Sequence, residues 1–246
     1  MEIIAHRGAS AGAPENTLAA ARLAWSEGAD ALEGDVRLSA DGEPVLLHDA
    51  DLARVSRGRC QVPVSLLDRE GLAEVDVGSH LDPAFASERV PTLAQWLATV
   101  PPGRRVFVEL KCGVAAVAAV VRVLGWSRLA PSQVVVIAFD LEVAERAKAM
   151  LSRCEVGWLV GRDEAGRVPP LDEVISRACA AGVDALDLED GWPVDEVVAR
   201  RVRDAGLKLY VWTVDDPARA RELAALGIDG LATNRPGGLR ADLRAG

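Results

Sequence analysis

The sequence predicts an α/β fold, a TIM (β/α)8 barrel with a small insertion at the C-terminal rim of the barrel. Short runs rich in Val, Ile and Leu alternate with stretches of helical period along the whole chain. Eight such runs each lead towards a helix, and no linker separates two halves. The length, 246 residues, suits one large domain with a sizeable core. A doubly wound open sheet is the rival architecture. Its nucleotide signature is missing: no GxGxxG follows the first strand, and there is no P-loop.

The elements follow in order. Glu2–Ala5 reads as a buried strand, with a helix at about Thr17–Glu27 that Asn16 or Thr17 caps. Ala31–Leu38 is the second strand, and Pro44–Leu47 is a further short one. Leu93–Val100 is helical. Strand and helix then alternate as Val106–Leu110 with Val114–Leu124, Val134–Phe139 with Leu141–Ser152, and Val156–Val160 with Leu171–Ala181. Ala185–Leu188 with Val194–Ala205, Lys208–Thr213 with Pro217–Leu226, and Ile228–Ala232 with Gly237–Arg244 complete the set. Gly28, Gly182 and Gly227 each end a helix shortly before the next strand. Asp51–Pro91 breaks the rhythm and is too long for a bare loop. It is expected to form a small cap over the barrel mouth, so that residues 1–246 make one domain with a cap-like insertion at about 51–91.

Composition narrows the function classes. A net charge of −9 gives nucleic-acid binding no electrostatic support. No apolar run approaches a transmembrane span of about 20 residues. MEIIAHRG has neither the basic n-region nor the apolar h-region of a signal peptide, so a cytoplasmic location is expected. Cys60, Cys112, Cys154 and Cys179 form no CxxC pair and read as reduced thiols. The oligomeric state is not legible.

Strand alternation brings the chemistry together. Residues i and i+2 share a face, which pairs Glu33 with Asp35 and Glu109 with Lys111. Leu32, Val36, Val108 and Leu110 then face the helices. Carboxylates in a barrel lumen are costly unless paired or bound to a metal. Spacing alone leaves two readings: a hard-oxygen site for Mg²⁺ or Ca²⁺, or a buried salt-bridge cluster with Lys111 and Arg7. His6-Arg7 and His48-Asp49 both follow strands, which places two histidines at one rim as candidate general acid and base. Three carboxylates, a divalent ion, Arg7 and Lys111 sum to one positive charge, matched to one phosphodiester anion. His80, in the insertion, reads as a surface side chain. Asp187 and Glu189 form a second i, i+2 pair that reads as substrate contacts or rim charges rather than a second metal site.

The HRG of His6–Gly8, PENT of Pro14–Thr17, E-x-D of Glu33–Asp35, His48-Asp49 and E-L-K of Glu109–Lys111 occur in that order. With VGSHLDPAFASERVPTL (Val77–Leu93), YVWTV (Tyr210–Val214) and IDGLATNRP (Ile228–Pro236), they resemble the glycerophosphodiester phosphodiesterase family. The resemblance implies a TIM barrel, one divalent cation, and hydrolysis of a small-molecule glycerophosphodiester to an alcohol and glycerol 3-phosphate. It implies metal ligands at Glu33, Asp35 and Glu109, acid–base roles for His6 and His48, and phosphate contacts from Arg7 and Lys111. By the same analogy Trp212 walls the glycerol site, against the plainer reading of a core aromatic. Three positions depart from the family's pattern. Ala138 stands where Ser is frequent, Asn234 where Asp is common, and His80 where an aromatic is frequent; none of them is expected to touch the metal or acid–base set, so they bear on substrate preference more than on the reaction. Rival functions are a lysophospholipase D acting on longer substrates, a metal-assisted lyase or aldolase using Lys111, and a phosphate-ligand binding protein without turnover.

Overall fold

The strands close on themselves. In the computed structural model, which describes residues 1–245, β1 (Glu2–Ala5) pairs in parallel with both β2 (Ala31–Leu38) and β9 (Gly230–Thr233). Around the ring between them run β8 (Lys208–Trp212), β7 (Ala185–Glu189), β6 (Glu155–Val160), β5 (Val134–Ala138) and β4 (Arg105–Leu110). Eight parallel strands thus form a closed barrel, and the open-sheet alternative is excluded by the β1–β2 pairing. The remaining strand, β3 (Pro44–Leu46), hangs antiparallel on the far end of β2.

Alternation divides the apolar residues into two layers. Ile4, Ala31, Phe107, Val135, Ile137, Leu159, Ala185, Tyr210 and Ala232 fill the lumen. Their neighbours, among them Leu32, Val36, Val108 and Leu110, pack outward against the helices. Phe107 and Tyr210 meet edge to face in the barrel centre, with ring centroids 5.0 Å apart. Gly34 faces outward, where a Cβ would sit 2.8 Å from Leu46 and 3.0 Å from the Trp96 ring. Its missing side chain lets Trp96, fully buried, lie flat on the sheet.

The helical layer begins with α1 (Leu18–Ser26), which Thr17 caps by accepting from Ala20 N. Of the two candidate caps, Asn16 is therefore free for another task. The helix expected over Leu93–Val100 is shorter, α3 (Leu93–Leu97), with a Thr92/Gln95 capping box at its start. Conversely α4 (Gly113–Trp126) runs past its expected end at Leu124. α5 (Leu141–Met150), α6 (Leu171–Ala181), α7 (Glu196–Asp204), α8 (Pro217–Ala225) and α9 (Pro236–Ala245) complete the ring.

The segment 51–91 carries α2 (Arg69–Glu74), two turns of 3₁₀ helix and an apolar cluster of its own, in which Leu52, Val55, Val64, Leu72 and Val77 pack under Val45 and Leu47. It returns to the barrel through a bridge between Val45 and Thr92. His80 is half-buried here and its Nδ1 is enclosed without a partner, so it is not the free surface side chain expected.

Candidate active site

The loop after β1 sets the site. Arg7 and Asn16 both take left-handed backbone conformations, φ 56° and 58°, which cost non-glycine residues about 1–3 kcal/mol each. Gly8, between them, has φ 84°, and a Cβ there would strike Ala20 at 2.6 Å. The strained turn folds the chain back over the tips of β2 and β4. Arg7 N donates to Glu33 Oε2 at 2.9 Å, and Arg7 Nε lies 3.1 Å from Asp35 Oδ2. Asn16 grips Asp35 twice, donating to Oδ2 at 2.8 Å and accepting from its backbone N at 3.1 Å.

β2 and β4 run in register with Asp35 opposite Glu109, which joins the two i, i+2 pairs. One oxygen from each of Glu33, Asp35 and Glu109 lies within 4.8 Å of the other two. Glu33 Oε1, Asp35 Oδ1 and Glu109 Oε1 are enclosed and accept no hydrogen bond. Lys111 Nζ is near in charge, 2.8 Å from Glu109 Oε1 and 3.6 Å from Asp35 Oδ1, but is not aligned to donate. Burial, then the charges of Asp35 and Glu109, push Glu33 well above the usual carboxylate range. Burial and the Asp35 charge raise Glu109 to about 7. Burial also opposes ionisation of Asp35, but Arg7, Lys111 and the Asn16 hydrogen bond outweigh it and hold its pKa low. Three converging orphan oxygens whose mutual repulsion Arg7 and Lys111 relieve only in part are the donor set a hard divalent cation requires, so the residues fit such an ion.

The two histidines open on the same cavity, of about 120 Å³, as Glu33, Glu109, Arg7 and Lys111. Their supports differ. His6 Nδ1 lies 2.8 Å from Asn234 Oδ1. Asn234 is oriented by Asp215, accepting its Nδ2–H at 2.6 Å and its backbone N–H at 2.8 Å. The amide oxygen therefore faces the ring, Nδ1 carries the proton, and Nε2 is left as the acceptor. Burial and the Arg7 charge lower the His6 pKa, which keeps the ring neutral. His48 Nδ1 instead meets the Asp49 carboxylate at 2.7 Å. Asp49 is bound in turn by Arg54 at 2.7 Å, and Arg54 forks onto both oxygens of Glu15 at 2.7 and 2.8 Å. Glu15 closes the chain on Arg7 at 3.1 Å.

Every expected site residue except Asp35 lines the cavity, and Asp35 is joined to it through the carboxylate trio. No residue of 51–91 lines it; the insertion reaches the site through Arg54. Asn234 was expected to lie outside the acid–base set, yet it holds His6 directly. Ala138 points outward into the helical layer, so a hydroxyl there would not enter the lumen; the lumen-facing residue at that tip is Phe139. Phe139 stacks edge-on against Trp212 at 5.5 Å and carries Lys111 over its ring at 5.5 Å. Sequence reasoning missed Phe139, although its i+2 relation to Ile137 was the available signal.

The second carboxylate pair separates. Glu189 accepts from Arg162 N and Nη2, both at 2.7 Å, and belongs to the rim. Asp187 enters the cavity wall, 4% exposed, with Oδ1 unpartnered, at a cost of about 1–3 kcal/mol. Burial, then the Glu109 charge, raise its pKa well above the carboxylate range. A neutral Asp187 leaves the net positive charge of the loaded site unchanged, whereas its ionised form would cancel it.

Comparison with known proteins agrees with this geometry. The profile of the glycerophosphoryl diester phosphodiesterase family matches residues 6–238. The chain belongs to that family. It is 31% identical to the Bacillus subtilis protein YhdW over 96% of this chain and 95% of the relative. A glycerophosphodiester phosphodiesterase of Caldanaerobacter subterraneus is 29% identical over 95% and 94% of the two chains. Among solved structures, an Oleispira antarctica phosphodiesterase in complex with the product sn-glycerol-3-phosphate superposes with a TM-score of 0.90 at 27% identity, covering 99% of this chain and 97% of that one. Family membership makes the chain a phosphoric diester hydrolase. No described helix is long and apolar enough to cross a membrane.

Proposed function

We propose that the protein hydrolyses glycerophosphodiesters to an alcohol and sn-glycerol 3-phosphate, with His6 as general base and His48 as general acid. The observation that carries this reading is the unequal support of two histidines facing one cavity. His6, on a neutral amide, is a ring held without charge and with Nε2 open, which suits it to take a proton from the attacking water. His48, held by the Asp49 carboxylate through Nδ1 and open to the cavity, is the ring assigned to hand a proton to the leaving alkoxide. The proton that His6 removes and the one that His48 delivers balance over the cycle.

Arg7 and Lys111 supply positive charge on the cavity wall for the phosphodiester. Arg7 is fixed by Glu15 and Asp35, and Lys111 by Glu109, so neither reorganises as charge develops on the phosphoryl oxygens. Glu33, Asp35 and Glu109 would hold one Mg²⁺ or Ca²⁺, whose contribution when bound is Lewis-acid polarisation of a phosphoryl oxygen. The Oleispira relative's product, sn-glycerol-3-phosphate, is the product this reading assigns here. A screen of glycerophosphodiesters with glycerol 3-phosphate readout, with and without added Mg²⁺ or Ca²⁺, tests the proposal. Cation-dependent release supports it, and tight binding without turnover contradicts it.

A further inference from the structure

We propose that Asp187 is the residue that reads the hydroxyls of the substrate's glycerol moiety. The inference rests on the hydrolase reading above and names the specificity determinant of that same cavity.

Asp187 sits on β7 between Leu159 of β6 and Tyr210 of β8, and its side chain enters the lumen. It is buried, and Oδ1 has no hydrogen-bond partner. The chain's own cations are committed elsewhere: Arg7 to Glu15 and Asp35, Lys111 to Glu109 and Asp35, Arg162 to Glu189. Among the described residues, the ligand set for an ion comprises Glu33, Asp35 and Glu109 and does not include Asp187. So Asp187 is neither a pairing partner nor part of the cation site, yet it is held facing the cavity.

Its surroundings define what it meets. Ile137, Phe139, Leu159, Trp212 and Ala232 make that part of the wall apolar, with Trp212 anchored by Nε1 donating to the Asp187 carbonyl at 3.2 Å. The charged groups that face a phosphoryl group, Arg7, Lys111 and the histidines, complete the lining. One polar group on an otherwise apolar wall is the arrangement that fixes the orientation of a small ligand. The cavity is small, about 120 Å³, which suits a compact polyol against this wall. A carboxyl group bonds vicinal hydroxyls through either oxygen, and an analogue lacking them leaves it unpaired in the wall.

The test compares kcat/KM on sn-glycero-3-phosphocholine and on propyl phosphocholine, which has the same leaving group and no hydroxyls. Wild type, Asp187→Asn and Asp187→Ala are measured, with circular dichroism and melting to confirm folding. Wild type is expected to favour the glycerol substrate by about 100-fold or more. Asp187→Ala should lose about 30–100-fold on the glycerol substrate and under about threefold on the propyl one, with weaker inhibition by glycerol 3-phosphate in step. Asp187→Asn, which is isosteric and still bonds hydroxyls, should fall between. Equal losses on both substrates, or a loss that tracks weakened cation affinity, overturn the assignment. So does a loss seen with the choline diester and absent with glycerophosphoglycerol, which would mean that Asp187 reads the ammonium group. Failure of the wild type to release glycerol 3-phosphate overturns the hydrolase reading itself, a result distinct from these.

Discussion

The two ends of the barrel lumen use the same kinds of side chain to opposite effect. At the N-terminal end, Glu155 accepts from Arg105 at 2.7 Å, Lys208 at 2.6 Å and Tyr210 Oη at 2.6 Å, while Arg105 also binds Glu2 at 2.7 Å. Two acids face two bases, and among the buried atoms of this group only Arg105 Nε lacks a partner. Burial resists charge on Glu155, but Lys208, Tyr210 and Arg105 overcome it and hold its pKa low. At the C-terminal end, Glu33, Glu109 and Asp187 are more deeply buried with fewer partners and their pKa values go up, whereas Asp35, held by Arg7, Lys111 and Asn16, stays low. Deeper burial and fewer partners push in the same direction there, and where partners are plentiful, as at Glu155 and Asp35, they win over burial. The satisfied end is a plug that stabilises the barrel; the end left with orphan oxygens is the one that needs a ligand.

The largest effect should separate the ends by substitution. Glu109→Gln should lower kcat by about 10³-fold or more, with the metal-free melting temperature unchanged or raised, because repulsion is relieved. Asp35→Asn should match that loss of kcat but lower the melting temperature, because Arg7 and Lys111 lose their partner. Glu155→Gln should do the reverse, destabilising by about 3–5 kcal/mol while kcat at a permissive temperature stays near wild type. Kinetics and thermal melts on the same preparations decide it, and a Glu155→Gln enzyme that folds normally but is inactive breaks the contrast.

Next in size are the histidines. His48→Ala should lose about 10²–10⁴-fold on glycerophosphocholine and far less on a nitrophenyl phosphodiester, whose leaving group needs no proton. His6→Ala should damage both substrates. The opposite pattern would exchange the two roles.

How much of this was readable from the sequence follows from distance along the chain. Glu33 with Asp35, and Glu109 with Lys111, were legible because strand alternation is local. The histidines were legible from their places after short strands. The contact between His6 and Asn234 spans 228 residues and exists only because β1 and β9 close the barrel, so no local pattern announces it. Asp187 and Glu189 looked alike in sequence, and an arginine from a neighbouring loop, Arg162, makes them different. At the β5 tip the phase of the strand decides: Ile137 faces inward, so Phe139 does too and Ala138 does not. Arg54 belongs to an insertion whose path no periodicity specifies.

A smaller shift should follow from Asn234→Asp. A carboxylate in place of the amide favours the imidazolium form of His6 and raises its pKa. The acid limb of the pH profile of kcat/KM, which requires the neutral ring, should then move to higher pH. An unmoved limb would remove His6 from the role of base.

The mildest effect is on stability. Glu109 is raised from 4.5 to about 7, so between those values the folded, metal-free chain holds protons that the unfolded chain has released. Its stability should therefore fall as pH rises through that window, and a divalent cation should reverse the fall. A metal-free melting temperature that instead rises across the window would contradict the residual repulsion assigned to this end.

The central claim is that the C-terminal end of the lumen is completed by a divalent cation on Glu33, Asp35 and Glu109. Calorimetric titration of the metal-free chain with Mg²⁺ or Ca²⁺ near pH 6.5, repeated in buffers of different ionisation enthalpy, tests it most directly. Stoichiometric binding with net proton release, lost in Glu109→Gln and retained in Glu155→Gln, is the predicted result. Absence of binding, or binding that survives Glu109→Gln unchanged and releases no proton, would contradict it.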